Sequence, residues 1–239
     1  MRKVILTLSL FLLMLPVCAQ VERPRLVVGL VVDQMRWDYL YYYYNDYSEN
    51  GLRRLLSEGY SYENTQINYS PAVTAVGHSS IYTGSVPALN GIAGNWFWED
   101  GKSKYCCTDT TVRSIGSNSA EGQMSPRNMW GTTIGDELRL ATDRASILPA
   151  GHSANAAYWW DTSAGHFVSS SFYMNELPQW VKDFNKANHT KPGFDLKTND
   201  DGVTMTFRMA EAAIDNEKLG QTDGQTDMIT VSVSSTDAI

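Results

Sequence analysis

Asp33, Thr74 and Asp237 lie far apart in the chain, yet their side chains form one chemical set. Two carboxylates and a hydroxyl are hard oxygen donors, the kind that suits a divalent metal ion. A metal lowers the pKa of a coordinated hydroxyl and offsets charge on a transferring phosphoryl group. Singly each residue is a weak signal, because most strand-end aspartates and helix-start threonines only cap their elements. Together they point to metal-assisted phosphoryl transfer, with Thr74 as the candidate nucleophile.

The elements that must position these residues are legible from patterning. Residues 25–32, Arg-Leu-Val-Val-Gly-Leu-Val-Val, form a nearly continuous apolar, β-branched run that ends in Asp33. Such a run predicts a parallel strand buried on both faces, with the carboxylate at the strand end where open α/β sheets bind ligands. Residues 227–235 predict a second strand, which delivers Thr236 and Asp237 at its end. The segment Ser70-Pro71-Ala72-Val73-Thr74 reads as a loop breaking into a helix. Thr74 then sits in a first turn, beside unpaired backbone N–H groups and partial positive charge.

Between these landmarks, residues 37–47, with consecutive tyrosines at 41–44, predict an amphipathic helix that packs aromatics on the sheet. Helices are predicted at 51–58 (stopped by Gly59), 128–141, 178–188 and 203–219, and strands at 60–68 and 166–173, with a brief apolar segment at 146–150. Residues 87–128 are rich in Gly, Asn, Ser and Trp without sustained periodicity, which predicts a functional loop or an insertion over the site. Alternating strands and helices predict an α/β fold, with a mainly parallel sheet covered by helices on both faces.

A hydrophobic content of 43% over 239 residues is that of a globular chain with room for one sizeable core. Arg2-Lys3, the apolar residues 5–17 and the triplet Val17-Cys18-Ala19 predict a signal peptide, residues 1–19, cleaved after Ala19. Periplasmic or secreted localisation follows, with a lipoprotein anchored through Cys18 as the alternative. The apolar run is too short to span a bilayer, so no transmembrane segment is expected. Cleavage would take the net charge from −7 to −9. An acidic surface excludes a general nucleic-acid-binding role, which rests on Lys and Arg. Cys106 and Cys107 are adjacent, and a relaxed disulfide is hard to close across one peptide bond. They are expected to be free thiols in a surface loop, without zinc-finger spacing. His78 and His152 each follow glycine and are expected to make structural hydrogen bonds.

In order and spacing, four segments closely resemble PafA-type exported alkaline phosphatases of the alkaline phosphatase superfamily, which have a type I phosphodiesterase/nucleotide pyrophosphatase-like fold. They are Val31-Val32-Asp33-Gln34-Met35-Arg36, Thr74-Ala75-Val76-Gly77-His78, Gly94-Asn95 and Ser234-Ser235-Thr236-Asp237. The resemblance runs over essentially all of residues 20–239. It implies hydrolysis of small phosphate monoesters with two zinc ions, Asp33 and Thr74 on one and Asp237 on the other. Thr74 would carry a phosphothreonine intermediate, Asn95 would donate a hydrogen bond to a phosphoryl oxygen, and Arg144 would hold the phosphate.

The pattern also departs from the family. Thr142 stands where the family has a lysine two residues before that arginine, and no strand separates residues 141 and 144, the signature of an internal deletion. The remaining zinc ligands of the family are expected beyond Ile239, so the chain reads as the N-terminal portion of a catalytic domain, incomplete at its C-terminal side. Two alternatives stand beside the phosphomonoesterase. One is a phosphodiesterase or nucleotide pyrophosphatase of the same superfamily. The other is a non-catalytic remnant, or an exported glycan-binding protein that uses Trp96, Trp98, Trp159 and Trp160.

Overall fold

A computed structural model describes residues 23–142, 147–148, 156–198 and 200–238. The expected signal segment, Arg144 and His152 lie outside the described residues. In chain order the elements are β1 (Leu26–Val32), α1 (Tyr39–Tyr42), α2 (Leu52–Glu58), α3 (Thr74–Thr83), α4 (Pro87–Asn90), β2 (Trp96–Glu99) and β3 (Lys102–Tyr105). They continue with β4 (Ser114–Ile115), α5 (Ile134–Thr142), β5 (Ile147–Leu148), β6 (Trp159–Asp161), β7 (His166–Ser170), α6 (Gln179–Ala187), α7 (Asp200–Asn216) and β8 (Asp227–Val233). Short 3-10 turns occupy Leu196–Thr198 and Ser235–Ala238.

The central sheet has the order β1-β8-β5 and is parallel throughout. Helices cover both of its faces, as the alternating pattern predicts. On one face α3 packs through Tyr82, whose hydroxyl reaches the β1 backbone at Gly29 O, 3.4 Å away. A Cβ at Gly29 would lie 2.9 Å from that hydroxyl, so the missing side chain is what admits the ring. On the other face Leu26, Ile229 and Val231 pack with Ala213 and Ile214 of α7. β8 is buried at five of its seven residues, whereas on β1 Val28 and Leu30 are 55% and 41% exposed. The expectation of a strand buried on both faces therefore fails at β1, which is an edge strand among the described residues.

Two further expectations fail for a common reason. Residues 60–68 form no strand, since no described strand lies beside them to complete a ladder; Tyr60 and Tyr62 pack on each other instead, ring centroids 4.9 Å apart. The tyrosine run forms only the single turn α1, and Tyr41, Tyr42 and Tyr43 are exposed rather than laid on the sheet. Its rings stack among themselves, Trp37 on Tyr41 at 4.9 Å and Tyr42 on Tyr43 at 4.8 Å. The predicted strand at 166–173 is β7, but it lies in a separate antiparallel sheet ordered β4-β7-β6.

The stretch 87–128 is more structured than its composition implies. It holds α4, the β2-β3 hairpin and β4. The hairpin turns at Asp100-Gly101 with φ of 51° and 75°, the positive values that a two-residue Asp-Gly turn requires. Two buried aspartates then staple the loops. Asp109 accepts from the Ser125 hydroxyl at 2.6 Å, from Thr111 N and Oγ1, and from Arg127 Nη1 at 3.0 Å. Asp161 is fully buried and accepts from the hydroxyls of Ser117, Ser119 and Ser163 and from the backbone of Ser163 and Ala164. Burial alone would raise both carboxyl pKa values, but these donors outweigh it: Asp109 is held well below the usual carboxylate range and Asp161 falls to about 2.

Candidate active site

Thr74 is the first residue of α3, and Val73 before it is extended, so the chain enters the helix at an abrupt corner. Among the described residues the Thr74 hydroxyl bonds to a side chain: it donates to Asp33 Oδ2 at 2.8 Å, across 41 residues of sequence. This contact separates Thr74 from an ordinary helix cap.

Asp33 continues the β1-β8 ladder through its N–H, which donates to Val233 O at 2.9 Å. Gln34 follows in the left-handed region, φ 56°, and turns the chain sharply away from the sheet. The carboxylate is thereby left at the strand end, facing the start of α3.

Asn95 lies between α4 and β2 and closes the other side of the corner. Its Oδ1 accepts the Ala75 N–H at 2.8 Å and so satisfies a first-turn amide of α3. Because an N–H can only donate, that contact fixes the amide orientation, and Asn95 Nδ2 has no partner among the described residues. The loop that carries Asn95 is anchored at the far end of α3. Buried Asn90 accepts Ile92 N at 3.0 Å and donates to Thr83 Oγ1 at 3.3 Å.

Asp237 reaches the same corner along its backbone. The Thr236 hydroxyl donates to Asp33 O at 2.5 Å, which ties the turn Ser235–Ala238 to the end of β1. The structure therefore brings Asp33, Thr74 and Asn95 together, with the main chain of Asp237 beside them. Arg144 lies outside the described residues. Thr142 ends α5 with its hydroxyl donated to Leu138 O at 2.7 Å.

His78 makes structural hydrogen bonds of the expected kind. Its Nδ1 donates to Thr74 O and its Nε2 accepts from Ser232 Oγ, both at 2.8 Å, so the ring pins α3 to β8. The four tryptophans of the glycan reading differ in their surroundings. Trp96 and Trp98 are exposed on β2, while the indole N–H groups of Trp159 and Trp160 are bonded to the carbonyls of Glu121 and Phe194. Asp33 and Thr74 match a divalent ion in donor type. They supply only part of a coordination sphere, and among the described residues no three His, Cys, Asp or Glu side chains cluster to hold a metal.

Sequence reasoning missed the anchoring of Asn95 through Asn90 and the hairpin that follows it. The Asp100-Gly101 pair is a hairpin signal that would have located the second; nothing in the sequence marks the first.

Comparison with known proteins bears on this geometry. The chain is 44% identical over 283 aligned residues to alkaline phosphatase PafA of Elizabethkingia meningoseptica, covering 92% of this chain and 52% of that protein. It is 44% identical over 281 residues to alkaline phosphatase PhoV of Synechococcus elongatus, covering 92% and 51%. The crystal structure of wild-type alkaline phosphatase PafA superposes with a TM-score of 0.85 at 40% identity, over 91% of this chain and 54% of that one. The chain thus spans about half the length of the curated relatives it matches. The 283 aligned positions also outnumber the 239 residues here, so PafA carries internal residues without a counterpart in this chain. Residues 27–239, nearly all of the described sequence, match the type I phosphodiesterase/nucleotide pyrophosphatase family, and the chain belongs to that family.

Proposed function

We propose that this chain carries the nucleophile-bearing part of an exported phosphomonoesterase that works through a phosphothreonine on Thr74. The single observation behind the reading is the 2.8 Å bond from the Thr74 hydroxyl, at the first residue of α3, to the Asp33 carboxylate. In this reading Asp33 Oδ2 holds the hydroxyl proton and aims Oγ1 out of the helix corner. Thr74 Oγ1 forms a bond to phosphorus, and the bond to the ester oxygen breaks. Water then cleaves the phosphothreonine and regenerates the hydroxyl. Asn95 Nδ2 donates to a phosphoryl oxygen, and the positive end of α3 favours the anion. Arg144 is assigned a grip on the same phosphate, which a planar guanidinium makes with two parallel bonds.

Asp33 and Thr74 would hold one zinc ion and Asp237 a second; such ions lower the pKa of a hydroxyl or water and neutralise phosphoryl charge. Support comes from the donor types, from the meeting of two strand ends at one helix start, and from relatives named as alkaline phosphatases. Export rests on the signal-peptide pattern; among the described residues no helix is long and apolar enough to cross a membrane.

A phosphodiesterase reading is favoured by one observation. Thr142, which the resemblance sets against the family's lysine, is an uncharged side chain bonded within α5 and offers the phosphate no charge. The two readings part on substrate. The intact gene product is expected to hydrolyse a monoester faster than a diester with the same leaving group, and acid-quenched protein is expected to carry one phosphoryl group on the Thr74 peptide. Preference for the diester would move the assignment to the second reading, and absence of label at Thr74 would overturn the nucleophile.

A further inference from the structure

Behind α3 lies a cavity of about 430 Å³, its wall including Thr74, Tyr82, Met129 and the two cysteines. Cys106 and Cys107 follow β3 directly, and their sulfurs lie 3.7 Å apart. In an extended strand successive side chains point to opposite faces. Here the chain turns immediately after Tyr105, and both sulfurs come to one side. A frame of backbone bonds holds the turn: Cys106 N–H donates to Asn95 O at 2.9 Å, Asn128 Nδ2 to Cys106 O at 2.8 Å, and Ser125 N–H to Cys107 O at 3.0 Å. Cys106 is buried and Cys107 is exposed. The phosphoryl chemistry proposed above uses neither sulfur.

We propose that Cys106 and Cys107 form a vicinal dithiol that closes reversibly to a disulfide by exchange with a small-molecule disulfide. The thiolate of one cysteine attacks one sulfur of the external disulfide. A mixed disulfide forms, and one small thiol leaves and takes up a proton. The other cysteine, losing its proton to solvent, then attacks the protein sulfur of the mixed disulfide and expels the second small thiol. Two protein thiols are oxidised and one external disulfide is reduced to two thiols.

Closure brings the sulfurs from 3.7 Å to about 2.05 Å across a single peptide unit. Adjacent Cα atoms are about 3.8 Å apart, less than an unstrained disulfide spans. The bond is therefore strained and easily reduced, which marks it as a labile site rather than a permanent staple. Through the Cys106 N–H, the reaction borders the residue that holds Ala75 at the start of α3.

The test equilibrates the full chain in mixtures of oxidised and reduced glutathione, followed by acid quenching, alkylation and mass analysis of the peptide that contains both cysteines. The expected product in the oxidised mixtures lacks two hydrogens, carries no alkyl group and reverts on adding reduced glutathione. Each single serine variant is expected to stop short of the disulfide, at most at a glutathione adduct on the cysteine that remains. Phenylarsine oxide, which bridges two close thiols with loss of water, is expected to consume both thiols of the wild type and to be washed readily from Cys107→Ser, a substitution at the exposed position. Two alkylated cysteines at every ratio, a stable glutathione adduct on the wild type, or a disulfide to Cys18 or to a second chain would each overturn the proposal.

Discussion

At the scale of single residues, the Thr74 hydroxyl and the Asn95 amide each make a structural hydrogen bond, and the proposed chemistry gives each a second task that substitution separates. Thr74→Ser keeps the hydroxyl beside Asp33 and is expected to retain turnover. Thr74→Ala is expected to lower kcat/KM by about 1,000-fold or more with little change in folding, read from phosphate release beside circular dichroism. Asn95→Asp keeps an oxygen facing Ala75 N–H but loses the Nδ2 donor. It is expected to cost on the order of 100-fold in kcat while the melting temperature holds. Wild-type kinetics in that variant would reduce Asn95 to a helix cap.

At the scale of elements, the loops around the site are held by the carboxylates of Asp109 and Asp161 rather than by regular ladders. Asp161→Asn replaces an acceptor oxygen with a donor group that faces other donors, an expected loss of about 2–3 kcal/mol. Thermal unfolding would register this as a fall of about 5 °C or more. The pH dependence has a definite sign. Asp161 has a pKa of about 2 in the folded chain against 3.8 ordinarily, so its contribution is fully present above about pH 4 and is lost as pH falls toward 2. Wild type and Asp161→Asn are therefore expected to converge in stability over that window in acid titrations. Curves that stay parallel would show that this carboxylate does not set the acid limb.

For the molecule as a whole, the decisive feature is incomplete cover. Among the described residues Val28 and Leu30 on the edge strand β1 are exposed, as are Trp37, Tyr42, Trp98 and Trp130, and large exposed apolar side chains favour association. Isolated, the chain is expected to enhance the fluorescence of a hydrophobic dye and to sediment as concentration-dependent oligomers; a monomer that ignores the dye would contradict this. The proposed metal dependence also belongs at this scale. Chelation of the intact gene product is expected to abolish phosphate release and added zinc to restore it, whereas activity that survives chelation would remove zinc from the mechanism.

Residues 25–32 and 227–235 were readable as parallel strands because their apolar, β-branched runs leave few other ways to be buried, and each is followed within two residues by an aspartate. The loop break before Thr74 was readable because Ser-Pro interrupts helical patterning. Local patterning failed where stability depends on distant partners: residues 60–68 have strand composition and no strand beside them, and the tyrosine run finds its own rings before it finds the sheet. The sequence by itself determined the α/β class, the family resemblance, and which hydroxyl and carboxylates are available for chemistry. Only the tertiary structure decided that Thr74 donates to Asp33, that Asn95 holds Ala75, and that the two cysteine sulfurs face one cavity. The physical reason is that a hydrogen bond depends on distance in space, and the parallel pairing of β1 with β8 brings together residues separated by more than two hundred positions in the chain.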